Sequence, residues 1–201
     1  MKKIILASKS LDRKELFRRM GIPIETFTTN VDEGIYKKRI KKPIKLAKEL
    51  AKAKALYTKK KQLKKDGDAI IIAADTIVEC EGEIIGKAYN ENEAFEILNK
   101  LSGRTHNLIT GIAITEINNS KLIIDSDTTI VEFLELSQKD IWSYIKTNEW
   151  IGRAGAYSIM DKASLFINKI IGSSSNVIGL SMNKVYNILK NEFGFNLFQI
   201  I

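Results

Sequence analysis

The chain has 201 residues, 44% of them hydrophobic and 28% charged, with a formal net charge of +8. That length supports one domain with a sizeable core, or two closely packed lobes. No apolar run approaches the ~20 residues that cross a bilayer, and the single cysteine, Cys80, excludes an internal disulfide, as expected of a cytoplasmic protein. The opening MKKIILASKS has an apolar run of about four residues, short of the ~7–15 of a secretory leader, and reads as a first strand.

In chain order, KIILA is a strand and SLDRKELFRRMG a helix closed by Gly21. IPIETFTT is a second strand. NVDEG, with Asp32 and Glu33, is a loop. PIKLAKELAKAKALYTKKKQLKK, residues 43–65, is a long helix with Pro43 at its start. AIIIAADTIVE, residues 69–79, is a strand, followed by a turn at CEGE and by IIGK. NENEAFEILNKLSG is an amphipathic helix with a glycine stop. HNLITGIAITEI and KLIIDSDTTIVEFLEL are long strands joined by a turn at NNS. SQKDIWSYIKT is a helix capped by Ser137. SLFINKIIG is a strand, and SMNKVYNILKNEFG a closing helix capped by Ser181. The pattern predicts an α/β chain with a mixed sheet flanked by helices, as one domain over residues 1–201 or as two lobes on one sheet, with residues 120–150 peripheral.

The charge is uneven. Residues 37–65 hold fourteen Lys or Arg against one acid, Glu49, a local +13, and the remainder carries −5. Such a run is usually a solvated face; the alternative is a nucleic-acid-binding or division-regulating protein. Aromatic residues for base stacking are sparse there, with Tyr36 at its edge and Tyr57 within it, so a nucleic-acid partner is not expected.

One ionisable group sits inside the most apolar strand. Asp75 is either a structural acid capping a loop, or a strand-end acid that binds metal or activates water, as favoured where ligands lie beyond strand carboxyl ends. Buried, it needs a cation or hydrogen bonds. Along the long helix, at 100° per residue, Lys45, Lys48, Lys52 and Lys59 share one face, and Lys54 lies opposite, with Leu46, Ala47, Leu50 and Tyr57. Lys54 therefore either meets an anion, Asp75 or a bound phosphate, or snorkels from the core edge. The turn LASKSLDRKEL aims backbone N–H groups and a helix dipole outward, which suits phosphate; Ser8 and Ser10 add hydroxyls and Arg13 a charge, while Asp12 opposes an anion. With Asp75, the loop acids Asp32 and Glu33 offer oxygen ligands for Mg²⁺, and Lys87 a charge for phosphates. Thr76 faces the other side of its strand. His106 reads as structural, and Cys80 lacks the surroundings of a reactive thiol.

Taken together and in order, these pieces resemble the Maf family, nucleoside triphosphate pyrophosphatases first associated with septum formation. LASKSLDRKEL resembles the opening L-A-S-x-S-P-R-R-x-E-L, VDE the acidic loop, AKAKA the helix K-A, and AADTIV the A-D-T signature. GEIIGKAYNENEAFEILNKLSGRTHNLITGIAI, EWIGRAGAYSI and GSSSNVIGLSM are similar to three further family stretches. The resemblance implies an α/β fold with a deep cleft between two lobes and a frequent homodimer. It implies hydrolysis of a nucleoside triphosphate between the α- and β-phosphates with Mg²⁺, Mn²⁺ or Co²⁺. It makes Asp75 the general base, and Glu33, Lys54 and Lys87 the metal- and phosphate-handling residues, with Glu33 and Asp75 as metal ligands. Ser8, Ser10, Arg13, Thr76, Met160 and Arg153 fall at substrate-binding positions.

Within that family, an arginine, a threonine and a glutamine mark members that prefer dTTP and UTP. Arg13 and Thr76 match, and Met160 replaces the glutamine. A thioether cannot donate to a base edge, so base choice is expected to relax or shift, toward modified pyrimidines for example. Other departures are Leu11 for proline, Asp12 for the first arginine, Ala88 for proline, Gly152 for aspartate, Arg153 for lysine and Asp161 for glycine.

Overall fold

The structure is a computed structural model and describes residues 2–63 and 68–200. The elements in order are β1 Lys3–Leu6, α1 Leu11–Arg19, β2 Glu25–Thr26, α2 Glu33–Arg39, α3 Pro43–Gln62, β3 Ala69–Cys80 and β4 Glu83–Ile85. There follow α4 Glu91–Leu101, β5 Thr105–Glu116, β6 Leu122–Phe133, α5 Gln138–Ile145, β7 Ile167–Ile171, α6 Ser174–Val177 and α7 Met182–Phe193. Through their pairings the seven strands form one sheet in the order β2-β1-β3-β5-β6-β7, with β4 on β3. β1 pairs in parallel with β2 and β3, whereas β4 on β3 and β7 on β6 are antiparallel. The fold is the mixed α/β sheet expected from the alternation of strand and helix patterns.

The chain divides into two compact units, described separately. The first comprises Met1–Asp75, Thr110–Asp127 and Gly179–Ile201. Its core joins β1, β3 and β5 to α3 through Ile5, Ala7, Ile71, Ala73, Ala113, Ala51 and Ala55. Small residues bring α3 close to β5. A Cβ added at Gly111 would lie 2.2 Å from the Ala47 carbonyl carbon and oxygen. On the predicted inward face of α3, Leu46, Ala47 and Leu50 are buried and Tyr57 is half-buried; Ala51 is buried as well. The expected last turn of that helix, residues 64 and 65, lies outside the described residues.

The second unit comprises Thr76–Ile109 and Thr128–Ile178. Leu98, Leu101, Ile141, Ile145, Phe133 and Tyr157 fill its core. Helix α5 starts on a capping box in which the Ser137 side chain and Asp140 satisfy each other's backbone N–H groups.

Several expectations change. The run 120–150 is not peripheral: β6 lies between β5 and β7, and Ile141 and Ile145 are core residues. NVDEG is not simply a loop, because Asp32 accepts from the Gly34 N–H as N-cap of α2, and Glu33 lies in its first turn. Strand β2 keeps two residues, since only Glu25 and Thr26 pair with β1. SLFINKIIG begins with a 3₁₀ turn at Lys162–Leu165 before β7. Ser181 does not cap α7 with its side chain; its hydroxyl instead donates to Asp127 Oδ2 at 2.5 Å.

Candidate active site

Strand β3 carries Asp75 into the first unit's core, where the residue is 8% exposed. Helix α3, held against β5 by Gly111, brings Lys54 to it. Lys54 Nζ lies 2.5 Å from Asp75 Oδ1 and 2.8 Å from Glu33 Oε1. The Lys54 and Asp75 side chains are 13% and 12% exposed and Glu33 36%, so the ammonium is buried on the Asp75 side and partly open on the Glu33 side. Of the two readings of Lys54, the ion pair holds. It also explains how a carboxylate survives in an apolar strand: the buried charge has a cation at hydrogen-bond distance.

Glu33 is shared. Its other oxygen, Oε2, is 3.3 Å from Lys37 Nζ, one helical turn along α2. Burial, the largest single influence, pushes the Glu33 carboxyl up; the charge and hydrogen bond of Lys54, then those of Lys37, outweigh it and hold the group at about 2. Glu33 is thus a carboxylate at any physiological pH. Lys37 was not singled out from the sequence, although Glu33 and Lys37 form an i,i+4 pair that would have shown it had the helix been recognised.

The turn before α1 is built around Ser8, Ser10 and Arg13. Ser10 Oγ caps α1 by accepting from the Arg13 backbone N–H at 3.3 Å. Ser8 Oγ accepts from the Ser10 N–H at 3.1 Å and from Arg13 Nη1 at 3.2 Å. Both hydroxyls act here as acceptors, which leaves each O–H proton able to donate. Arg13 Nε donates to the Gly179 carbonyl at 2.6 Å. Burial lowers the Arg13 guanidinium pKa, and Asp75, Asp12 and Glu33 oppose that in turn, so Arg13 lies within the field of the acids. An arginine nonetheless stays charged.

In the second unit, Lys87 forms an antiparallel bridge with Ala154, and the Gly155 N–H donates to the Gly86 carbonyl at 3.2 Å. That bridge places Lys87 opposite Ala154, the residue after Arg153. Arg153 Nη1 donates to the Glu149 carbonyl at 2.6 Å, and Nη2 is 3.7 Å from Asp161 Oδ2. Thr76 and Met160 are half-buried. His106 is buried, its Nε2 3.0 Å from the Tyr157 hydroxyl, and burial lowers its pKa to about 4. Cys80 is buried and its thiol is pushed up by burial, so it is not a nucleophile. On α3, Lys45 is exposed and Lys48 and Lys52 half-buried, but Lys59 is not simply solvated; it donates to the Asn119 carbonyl.

The donor set bears on metal binding. Among the described residues no group of three or more His, Cys, Asp or Glu forms a cage for an ion. Two carboxylates, Glu33 and Asp75, converge on one ammonium. A hard divalent cation such as Mg²⁺ typically takes one or two protein carboxylates and completes its shell with water and phosphate oxygens. The pair fits such an ion arriving with a phosphate ligand, and not one held by protein alone.

The features define a class: a mixed α/β protein with a strand carboxylate, a half-buried helix lysine and an arginine-bearing helix turn in one unit. A family model described as Maf-like protein matches residues 3–192, and the chain belongs to that family. It is 44% identical over 197 residues to a dTTP/UTP pyrophosphatase of Alkaliphilus oremlandii, covering 98% of this chain and all of that protein. It is 40% identical over 195 residues to a dTTP/UTP pyrophosphatase of Thermoanaerobacter sp. strain X514, covering 97% and 99% of the two chains. A Clostridium acetobutylicum protein of the same description is 37% identical over 201 residues, at 97% and 100% coverage. Among the described residues no helix is long and apolar enough to cross a membrane.

Proposed function

We propose that this chain is a nucleoside triphosphate pyrophosphatase that cleaves the α–β phosphoanhydride, with dTTP, UTP or modified pyrimidine nucleotides as substrates, and so removes surplus or noncanonical triphosphates. The observation that carries the reading is the Lys54 ammonium bound to both Asp75 and Glu33 beside the Arg13 turn. Support comes from the relatives described as dTTP/UTP pyrophosphatases, which match over nearly their whole length. The family model runs across both compact units, which supports a single domain over residues 1–201.

In this reading Asp75, held by Lys54, accepts the proton of the attacking water. The water oxygen bonds to phosphorus, and the bridging oxygen leaves with the pyrophosphate. Ser8, Ser10 and the first turn of α1 donate to phosphate oxygens, and Arg13 neutralises charge there. By the resemblance Lys87 is assigned to metal and phosphate handling and Arg153 to a substrate-binding position, while Thr76 and Met160 are assigned to base choice. Glu33 and Asp75 would hold a divalent cation, Mg²⁺, Mn²⁺ or Co²⁺, which supplies charge neutralisation on the non-bridging oxygens. A cytoplasmic location and a homodimer complete the proposal.

The test is product analysis with Mg²⁺ across canonical and modified triphosphates, for the wild type and Met160→Gln. Pyrophosphate with the nucleoside monophosphate is expected, led by a pyrimidine, and Met160→Gln should sharpen the preference for dTTP and UTP. Orthophosphate and a diphosphate as products would overturn the reading.

A further inference from the structure

Arg13 is a buried cation whose orientation is set from two sides. Ser8 Oγ accepts from Nη1 at 3.2 Å, and the Gly179 carbonyl accepts from Nε at 2.6 Å. Ser8 is local to the turn, five residues away. Gly179 is 166 residues away, so this contact exists only in the folded first unit.

The backbone at Gly179 is unusual. Its φ is +113°, outside the range that L side chains adopt comfortably. The residues after it are fixed: Leu180 and Ser181 are both fully buried, and the Ser181 hydroxyl donates to Asp127 Oδ2 at 2.5 Å. The chain thus enters α7 from an anchored point, and the left-handed φ at Gly179 sets the peptide that offers its carbonyl to Arg13. A side chain there strains the backbone and turns that carbonyl, or else moves the anchored segment.

We propose that Gly179 is a positioning residue: its carbonyl locks the Arg13 guanidinium into its binding orientation before substrate arrives. The inference rests on the reading of Arg13 as a substrate-binding cation. A guanidinium pinned at Nε and Nη1 loses its rotameric freedom during folding rather than during binding, which lowers the ordering cost at the binding step. The sequence places Gly179 in the family-like stretch GSSSNVIGLSM but does not assign it this role, because the contact joins residues 166 apart in the chain.

The experiment is a double-mutant cycle on kcat/KM for dTTP with Mg²⁺, using Gly179→Ala and Arg13→Lys. Lysine keeps the charge and lacks the Nε–H. Gly179→Ala should lower kcat/KM about tenfold or more in the wild type, and less than about twofold in Arg13→Lys, because coupled residues are non-additive. Equal losses in both backgrounds would show that Gly179 acts without Arg13, overturning this inference while leaving the reading of Arg13 intact. If Arg13→Lys by itself kept the wild-type kcat/KM, that would remove the reading of Arg13, and the inference with it. If Gly179→Ala does not fold, the Arg13 Nε–H resonance of the wild type, identified by its disappearance in Arg13→Lys, decides the matter. Slow exchange with solvent supports the lock; exchange as fast as that of exposed arginines contradicts it.

Discussion

Lys54 carries the heaviest electrostatic duty at the site, since it is the cation for both Asp75 and Glu33. Removing it in Lys54→Met leaves Asp75 buried without its partner. Breaking a buried pair costs about 3–5 kcal/mol, and the partial exposure of Glu33 argues for the lower end. At about 3 kcal/mol, thermal denaturation should show a Tm lower by roughly 6–12 °C. The pH dependence follows from Glu33. Its carboxyl titrates near 4.5 in the unfolded chain and at about 2 in the fold. The unfolded state takes up the proton first, so the stabilisation is complete above pH 4.5 and is lost as pH falls toward 2. Urea unfolding between pH 5 and 3 should show this limb in the wild type, and Lys54→Met should flatten it.

His106 acts in a different window. It is buried, with Nδ1 lacking a partner among the described residues, and burial lowers its pKa from 6.5 to about 4. The fold favours the neutral ring, so its contribution is complete above pH 6.5 and is lost as pH drops through 4. The loss is on the order of 3 kcal/mol. His106→Gln should remove the slope between pH 6.5 and 4 in the same unfolding series; an unchanged slope would place the titration elsewhere. Among single residues, Asp75 and Lys54 were legible because an isolated acid in an apolar strand and a lysine on an apolar helix face are both anomalies of pattern. Gly179 was not, because its role depends on a contact 166 residues away in the chain.

At the scale of elements, the close approach of α3 to β5 positions Lys54. The Cβ of an alanine at Gly111 would fall 2.2 Å from Ala47 backbone atoms and 2.6 Å from the Lys48 nitrogen, and backbone cannot swing aside as a side chain can. Gly111→Ala should push α3 off the strand, costing about 1–3 kcal/mol or more. It should also lower kcat, because Lys54 moves with the helix; a fall in Tm with kcat unchanged would separate the packing from the site. The long elements were legible for a simple reason. β3 is buried nearly throughout and reads as a continuous apolar run, and α3 repeats its apolar face over 20 residues. Helix α2 escaped notice because it buries no residue and so shows no apolar stripe. β2 is shorter than its sequence pattern suggests, because apolar alternation does not say how many residues find a partner strand.

For the whole molecule, most of the positive charge of residues 37–65 lies on an exposed surface. Lys37, Lys38, Arg39, Lys41, Lys42 and Lys45 are exposed on and between α2 and α3, whereas Lys54 on α3 is half-buried against Asp75. Composition alone could not separate these lysines; helical spacing did for Lys54, and it failed for Lys59, which is tied to Asn119. The mixed sheet was legible from the order of the strand and helix patterns, while the place of β6 inside it was not, since β6 mixes polar and apolar residues on half-buried faces.

The central claim is that Asp75 serves hydrolysis and not merely the core. The most direct measurement is pyrophosphate release from dTTP and UTP with Mg²⁺ by Asp75→Asn beside the wild type, with folding of both checked by circular dichroism. Asparagine keeps the size and cannot take the proton, so kcat should fall by about 10²–10⁴-fold in a folded protein. A folded Asp75→Asn enzyme with wild-type turnover would contradict the account and return Asp75 to a purely structural role.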